Sequence, residues 1–387
     1  MARRLILLFA AAIFVTAKAP GALSSDPVDL TVHEWGTFTS VAGADGKAVD
    51  WLPQSGPPDL PSFVEHVGYN TKGCLSGTVR METPVLYFYA AQETSVDVRV
   101  RFARGAITEW YPHAAVFPRV VSDATLRNPA FVGEAAWSDV KVAPHASPAD
   151  FPNEHGASHY YAARETDASP LQVDGHAERF LFYRGVGRFD PPLLVTRAAD
   201  GTIGVEATNA HPIGDVVLFE NRGGRIGYGV RRLAAPFVEL EPLELRGDVE
   251  SLYGHLERLL VARGLYPREA AAMVATWRDS WFDEGARLFY ILPQDAVDRI
   301  LPLEIDPAPA AVARVFVGRI EIITPEIERT VGDAIVAGDH GAIAKHSRFI
   351  RPIVDRLRAR RSPSERAALE QRLSAVYSRL APLADCR

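Results

Sequence analysis

The chain has 387 residues, 47% of them hydrophobic, which is enough for one large core or two domains. Its 48 acidic and 42 basic residues give a formal charge of −6, and no basic stripe runs along it. That balance excludes a protein built to neutralise nucleic-acid phosphates.

The chain opens Met1-Ala2-Arg3-Arg4, followed by an apolar run from Leu5 to Val15 and small residues at Ala17, Ala19 and Ala22. A basic start, a short apolar stretch and small residues together read as a signal peptide over residues 1–25. The run falls short of the roughly 20 apolar residues a permanent span needs, although an uncleaved anchor is the alternative. With no cysteine near the cleavage zone and no later span, the expected product is non-lipidated, has no membrane span after cleavage, and is periplasmic or secreted. Loss of Arg3, Arg4 and Lys18 takes its charge from −6 to −9. The two cysteines are Cys74 and Cys386. An oxidising compartment admits a disulfide between them, worth at most about 5 kcal/mol in the chain-entropy model. Two separate thiols are the alternative.

Residues 26–323 read as a β-rich domain. Asp45-Gly46 separates Thr37–Val41 from Val49–Trp51 as a tight turn. In Val96, Val98, Val100 and Phe102 the apolar residues alternate with Asp97, Arg99 and Arg101, so one face is buried and the other wet. A meander follows. Leu193–Arg197 turns at Asp200-Gly201 into Thr202–Ala207, and Asp215–Glu220 turns at Asn221–Gly224 into Arg225–Arg231. Short alternating strands at this spacing predict an antiparallel sandwich or barrel.

A helical insertion is expected over about 249–283. Val249, Leu252, Tyr253, Leu256, Leu259 and Leu260 share a face, Gly264 ends the first helix, and Pro267 opens the second. Trp277 and Trp281, four apart, read as packing residues. β-like stretches return at Arg287–Leu292 and Val312–Ile323. Residues 324–387 read as helical. Thr324-Pro325 starts one helix and Gly338 ends it. Asp339 caps the next, which Pro352 should kink or divide. The run Ser362-Pro363-Ser364-Glu365 is a capping box leading into a stripe of Leu369, Leu373, Val376 and Leu380. The densest basic run, Arg356 to Arg361, reads as a solvated helix face. The fold class is therefore α+β: an antiparallel β-sandwich-like N-terminal region with a helical insertion and a helical C-terminal region.

Chemistry is harder to place. The chain lacks a nucleophile elbow, a phosphate loop, an H-E-x-x-H and a C-x-x-C. Four of its eleven histidines, His145, His155, His159 and His176, fall within the segment 145–176. His155 and His159 are the candidate ligands for Zn or non-haem Fe, with polar loop histidines as the plain alternative. If His159–Thr166 is a strand, His159 and Glu165 stand about 20 Å apart and cannot share an ion. In Val32-His33-Glu34-Trp35-Gly36-Thr37-Phe38, alternation sends His33 and Trp35 one way and Glu34 the other, so an inward carboxylate needs a partner. Arg80 and Glu82 share a face of the next candidate strand, where Pro84 implies an edge or a bulge. Glu34 and Glu82 are the candidate carboxylate pair for glycoside hydrolysis, set against structural ion pairing. Trp35, Trp110, Tyr111 and His113, with Tyr160 and Tyr161, are candidates for a sugar-stacking platform, set against core filling.

The segments His33–Phe38, Met81–Val85 and Trp281–Arg287, the last continuing through Leu288–Pro293, resemble a family of uncharacterised exported bacterial proteins. The resemblance covers most of the chain after the leader and implies a bacterial envelope setting. It carries over no catalytic residue. The leading expectation is a binding protein for a small molecule, a glycan or an envelope protein partner. The other expectations are a metal-dependent hydrolase or oxidoreductase and a structural partner protein.

Overall fold

The computed structural model describes residues 28–51, 60–67, 75–154, 158–208 and 212–380. The expected leader, Cys74, Cys386 and His155 lie outside the described residues.

Valine, threonine and aromatic residues fill β1 (Val28–Val41), and every residue from Val32 onward is buried. A strand buried on both faces belongs in the interior of a sheet that is covered on both sides. It pairs parallel with β18 (Pro309–Ile322) and antiparallel with β3 (Val79–Ala90). Beyond β18 come β16 (Gly285–Ile291), β13 (Gly214–Arg222) and β14 (Arg225–Leu233). Beyond β3 come β10 (Leu181–Gly187), β5 (Gly105–Tyr111) and β2 (Glu65–His66). These nine strands form a mixed sheet, which corrects the purely antiparallel expectation: the first and last strands of the β region run side by side in the same direction.

A second sheet contains β17 (Leu303–Asp306), β4 (Thr94–Ala103), β7 (Val132–Val142), β8 (Leu171–Val173) and β9 (His176–Glu178), with β6 (Ala115–Phe117) paired to β7. β4 shows the expected alternation of buried and wet residues. A third sheet holds β11 (Leu193–Arg197), β12 (Ile203–Ala207) and β15 (Phe237–Leu240). Both expected hairpins form, with left-handed glycines at Gly201, Gly223 and Gly224 in their turns. They are not one meander, however: the first lies in the three-stranded sheet and the second at the edge of the nine-stranded one.

The Pro84 expectation resolves to a bulge. β3 is an interior strand, and its register shifts against both neighbours around Pro84. Gly36 sits opposite, where an added Cβ would lie 3.2 Å from Pro84 Cα and 2.7 Å from Phe316 Cε1. Two of the distinctive segments thus meet at one irregularity of the sheet.

One face of the large sheet shares a core with the second sheet, in which Val32, Phe88 and Leu288 pack among Val98, Phe102 and Trp137. The helical insertion covers the other face. Here α2 (Val249–Ala262) and α3 (Pro267–Trp281) set Leu252, Leu256, Met273 and Trp281 against Trp35, Tyr87 and Phe289. Asp248 caps α2, accepting from Ser251 N at 3.0 Å, and Gly264 has the expected left-handed φ. Two short helices, α1 (Asp123–Arg127) and α4 (Gln294–Ile300), were not expected.

The C-terminal helices are α5 (Pro325–Ala337), α6 (His340–Lys345), α7 (Ser347–Ala359) and α8 (Pro363–Leu380). Thr324 and Gly338 bound α5 as expected. Pro352 does not divide its helix; the break falls at His346, and α7 runs through the proline. Only one backbone bond is lost there, and the buried Phe349, Ile350, Ile353 and Val354 hold that stretch against the core. Leu369 and Leu373 of α8 are buried beside Val331, Ile335 and Ile350, so this part of the stripe packs within the chain. Each leucine contributes about 2 kcal/mol by burial. None of the described helices is long and apolar enough to cross a membrane.

Candidate functional site

The alternation read into His33–Phe38 holds, and both kinds of inward group are partnered. On the helical side, His33 Nδ1 lies 2.7 Å from Glu269 Oε2, and Tyr89 donates to Glu269 Oε1 at 2.8 Å. The backbone amide of Tyr266 also donates to Glu269, at 2.7 Å. This cluster ties β1 and β3 to the start of α3.

Glu34 points the other way and is fully buried. Its Oε2 accepts from Arg314 Nε at 2.6 Å, and its Oε1 accepts from the Tyr183 hydroxyl. Parallel pairing sets Glu34 directly opposite Arg314 in the β1–β18 register, which is why partners 280 positions apart meet. Arg314 Nη1 donates to Asp298 at 2.8 Å and to the Leu301 carbonyl at 2.6 Å. Its Nη2 is buried and has no hydrogen-bond acceptor. Burial disfavours the charge on Arg314, but Glu34, Tyr183 and Asp298 hold its pKa above the ordinary range. Burial, and then the adjacent Glu34, push the Tyr183 hydroxyl well above its ordinary pKa.

Arg314 also lines a cavity of about 760 Å³ between the second sheet, α4 and the start of β18. Buried Val98, Trp137 and Arg314 contribute to its wall, while Ser138, Gln294 and Val312 are exposed on its rim. Four carboxylates, on Asp97, Asp298, Glu304 and Asp306, face two guanidiniums, on Arg99 and Arg314. The Arg314 charge is already met by Glu34 and Asp298. What the site offers a ligand is therefore apolar surface and an acceptor-rich rim. Of the proposed site residues, Glu34 alone reaches this place. Arg314, Tyr183 and Asp298 were missed by sequence reasoning. Their signal was present in Ala313-Arg314-Val315-Phe316-Val317-Gly318-Arg319-Ile320-Glu321, where charged residues interrupt an apolar strand and so need buried partners.

The carboxylate pair is not formed. Glu82 accepts from Thr39 at 3.0 Å on the helical side of the sheet, whereas Glu34 points to the opposite side. The sheet itself separates them, so they cannot flank one bond. Glu82 instead joins a buried charged belt with Arg80 and Arg319. In that belt Glu321 receives Arg319 at 2.6 Å, Arg287 at 3.0 Å and Arg348 at 3.1 Å. Burial would raise the Glu321 pKa, but these three arginines override it and hold it near 2.

The stacking platform is likewise not formed. Trp35 and Tyr111 are buried in the core on the helical side and Trp110 in the opposite core. Adjacent strand residues point to opposite faces, so Trp110 and Tyr111 cannot present one surface. His113 is exposed and bonds Glu65 Oε1 at 2.7 Å; the other oxygen of Glu65 accepts from Trp110 Nε1 at 3.2 Å. Tyr160 is buried, with its hydroxyl donating to Glu178 at 2.9 Å. Trp277 and Trp281 are stacked core residues, as expected.

The segment His159–Arg164 is a 3-10 helix capped by Ser158, not a strand. Arg164 and Tyr160 anchor it to the buried Glu178. His159 is exposed, with Nε2 3.8 Å from Asp279. Among the described residues no group of three or more His, Cys, Asp or Glu is arranged to hold a metal ion, and His155 lies outside them. The Cys74–Cys386 pairing also lies outside them. No family model matches the chain, and no curated protein matches it.

Proposed function

We propose that this is an exported binding protein, periplasmic or secreted, that takes a small hydroxyl-rich molecule, a sugar without acidic groups, into the cavity beside Arg314. The observation that carries this reading is the cavity of about 760 Å³ itself, with buried Trp137 and Arg314 in its wall and the carboxylates of Asp97, Asp298, Glu304 and Asp306 around it. A cavity of this size suits a mono- or disaccharide. The rim selects by charge: its carboxylates repel acids and accept from hydroxyls. Val312, Leu303 and Ile305, the accessible apolar residues of the lining, supply surface for the ring carbons.

Calorimetric titration with neutral and amino mono- and disaccharides tests the proposal, with uronic acids as the acidic controls. Saturable binding by a neutral or amino sugar is expected, with none by the uronic acids. Filling the cavity from its exposed rim with Ser138→Trp should abolish that binding without altering the melting temperature. Failure of every sugar to bind, or binding that survives Ser138→Trp in a folded protein, would refute the reading.

A further inference from the structure

The chain is acidic overall, but one concavity reverses the sign. A groove of about 700 Å³ lies between α5, α7, the turn after β1 and the β11–β12 hairpin. Arg197, Arg329, Arg356, Arg360 and Arg361 line it against only Glu328 and Asp333, a local excess of three positive charges. Glu328 is already engaged twice, by Arg360 Nη1 at 2.6 Å and by Arg356 Nη1 at 3.5 Å. Two nearby acids lie within electrostatic reach of the groove, Asp200 of Arg197 and Glu365 of Arg361, but among the described residues neither forms an ion pair with it and each is held by local hydrogen bonds. Asp200 accepts from Thr202 N at 2.9 Å, and Glu365 accepts from Ser362 N at 2.9 Å and from the Ser362 hydroxyl.

Arg329 and Arg361 are in no ion pair among the described residues, and Arg197 reaches only the Ala198 carbonyl, at 3.5 Å. The Arg356–Arg361 run is therefore more than a solvated face. Arg358 turns away to Glu370 and Asp355, while Arg356, Arg360 and Arg361 line the groove. Several guanidiniums in one concavity focus a positive field, and each can hold an oxyanion through two parallel hydrogen bonds.

We propose that this groove is a second ligand site, specific for a small, multiply charged oxyanion bearing phosphate or carboxylate groups. Its floor of Ala42, Val195, Ile322 and Ile323 is apolar and offers no competing acceptor side chain. The two concavities thus differ in sign, one with an excess of carboxylates and one with an excess of guanidiniums, and they take different ligands.

The test is calorimetric titration of the intact protein at low salt with pyrophosphate and with citrate, alongside flotation with phosphatidylglycerol and phosphatidylcholine vesicles. The proposal predicts saturable binding of at least one free anion, weakened about tenfold by the paired substitution Arg329→Ser and Arg361→Ser and by raised salt. Neither arginine holds an ion pair, so the variant should melt like the parent, and Arg358→Ser should bind normally. Binding confined to phosphatidylglycerol vesicles, whose phosphodiester carries a single charge, would overturn the assignment of a small, multiply charged ligand. No binding to any of these anions, or binding indifferent to the paired substitution, would overturn the proposal. Ser138→Trp should leave anion binding unchanged, which separates this result from the fate of the sugar site.

Discussion

Replacing Glu34 by glutamine removes a buried negative charge and leaves the Arg314 guanidinium facing a neutral amide. Arg314 is 4% exposed and Glu34 fully buried, so solvent can compensate neither. Breaking a buried pair from one side costs about 3–5 kcal/mol. Asp298 still reaches Arg314, but its side chain is half exposed and replaces only part of the lost interaction, so Glu34→Gln should cost about 3 kcal/mol. Arg314→Met leaves a buried carboxylate with only the Tyr183 hydroxyl and should cost at least as much. The double variant should be more stable than the two single losses added together, with a coupling energy of about 2 kcal/mol or more. Urea unfolding gives these numbers from midpoint shifts at unchanged slope. Single losses below about 1 kcal/mol, or additivity within about 0.5 kcal/mol, would refute the claim that this pair is buried and mutually dependent.

Glu321 titrates near 2 when folded, below its ordinary value of 4.5. Its contribution is therefore present above pH 4.5 and is lost as the pH falls towards 2. Glu321→Gln should flatten acid unfolding in that window, and an unchanged acid midpoint would count against the belt. Gly36→Ala would push a methyl into Phe316 and the β3 backbone and should lower stability by about 1–3 kcal/mol, read from the urea midpoint; a neutral substitution would contradict the bulge packing. Truncation after Arg361 removes Leu369 and Leu373 from the C-terminal core and should lower the melting temperature. Unchanged melting would show that α8 packs elsewhere.

Local signals in the sequence were legible. Glycines at the hairpin turns, Thr324 and Asp339 as caps, the Glu365 arm of the Ser362–Glu365 box and the β4 alternation all act through neighbours a few residues away, and each appears in the structure. Non-local pairing was not legible. Nothing near Glu34 indicates that its partner lies on β18, because parallel strands meet only after the intervening chain has folded between them. For the same reason the sequence left a shared stacking surface open beside core filling for Trp35, Trp110 and Tyr111, and the structure divides them between two cores. A strand over His159–Thr166 is one reading the sequence allows, and the structure has a 3-10 helix at His159–Arg164 instead. The Glu178 anchor of that helix becomes visible only once β9 is in place. What the sequence did reveal about the site was a requirement: an inward carboxylate at Glu34 had to be neutralised. The residue that neutralises it also lines the cavity.

The most direct test of the central claim is a crystal structure of the protein soaked in the neutral sugar that binds best in solution. The account predicts difference density in the cavity between β4, β7 and α4, with ligand hydroxyls about 3 Å from the carboxylates of Asp298, Glu304 or Asp306. Sugar density elsewhere on the molecule, with this cavity empty, would contradict it.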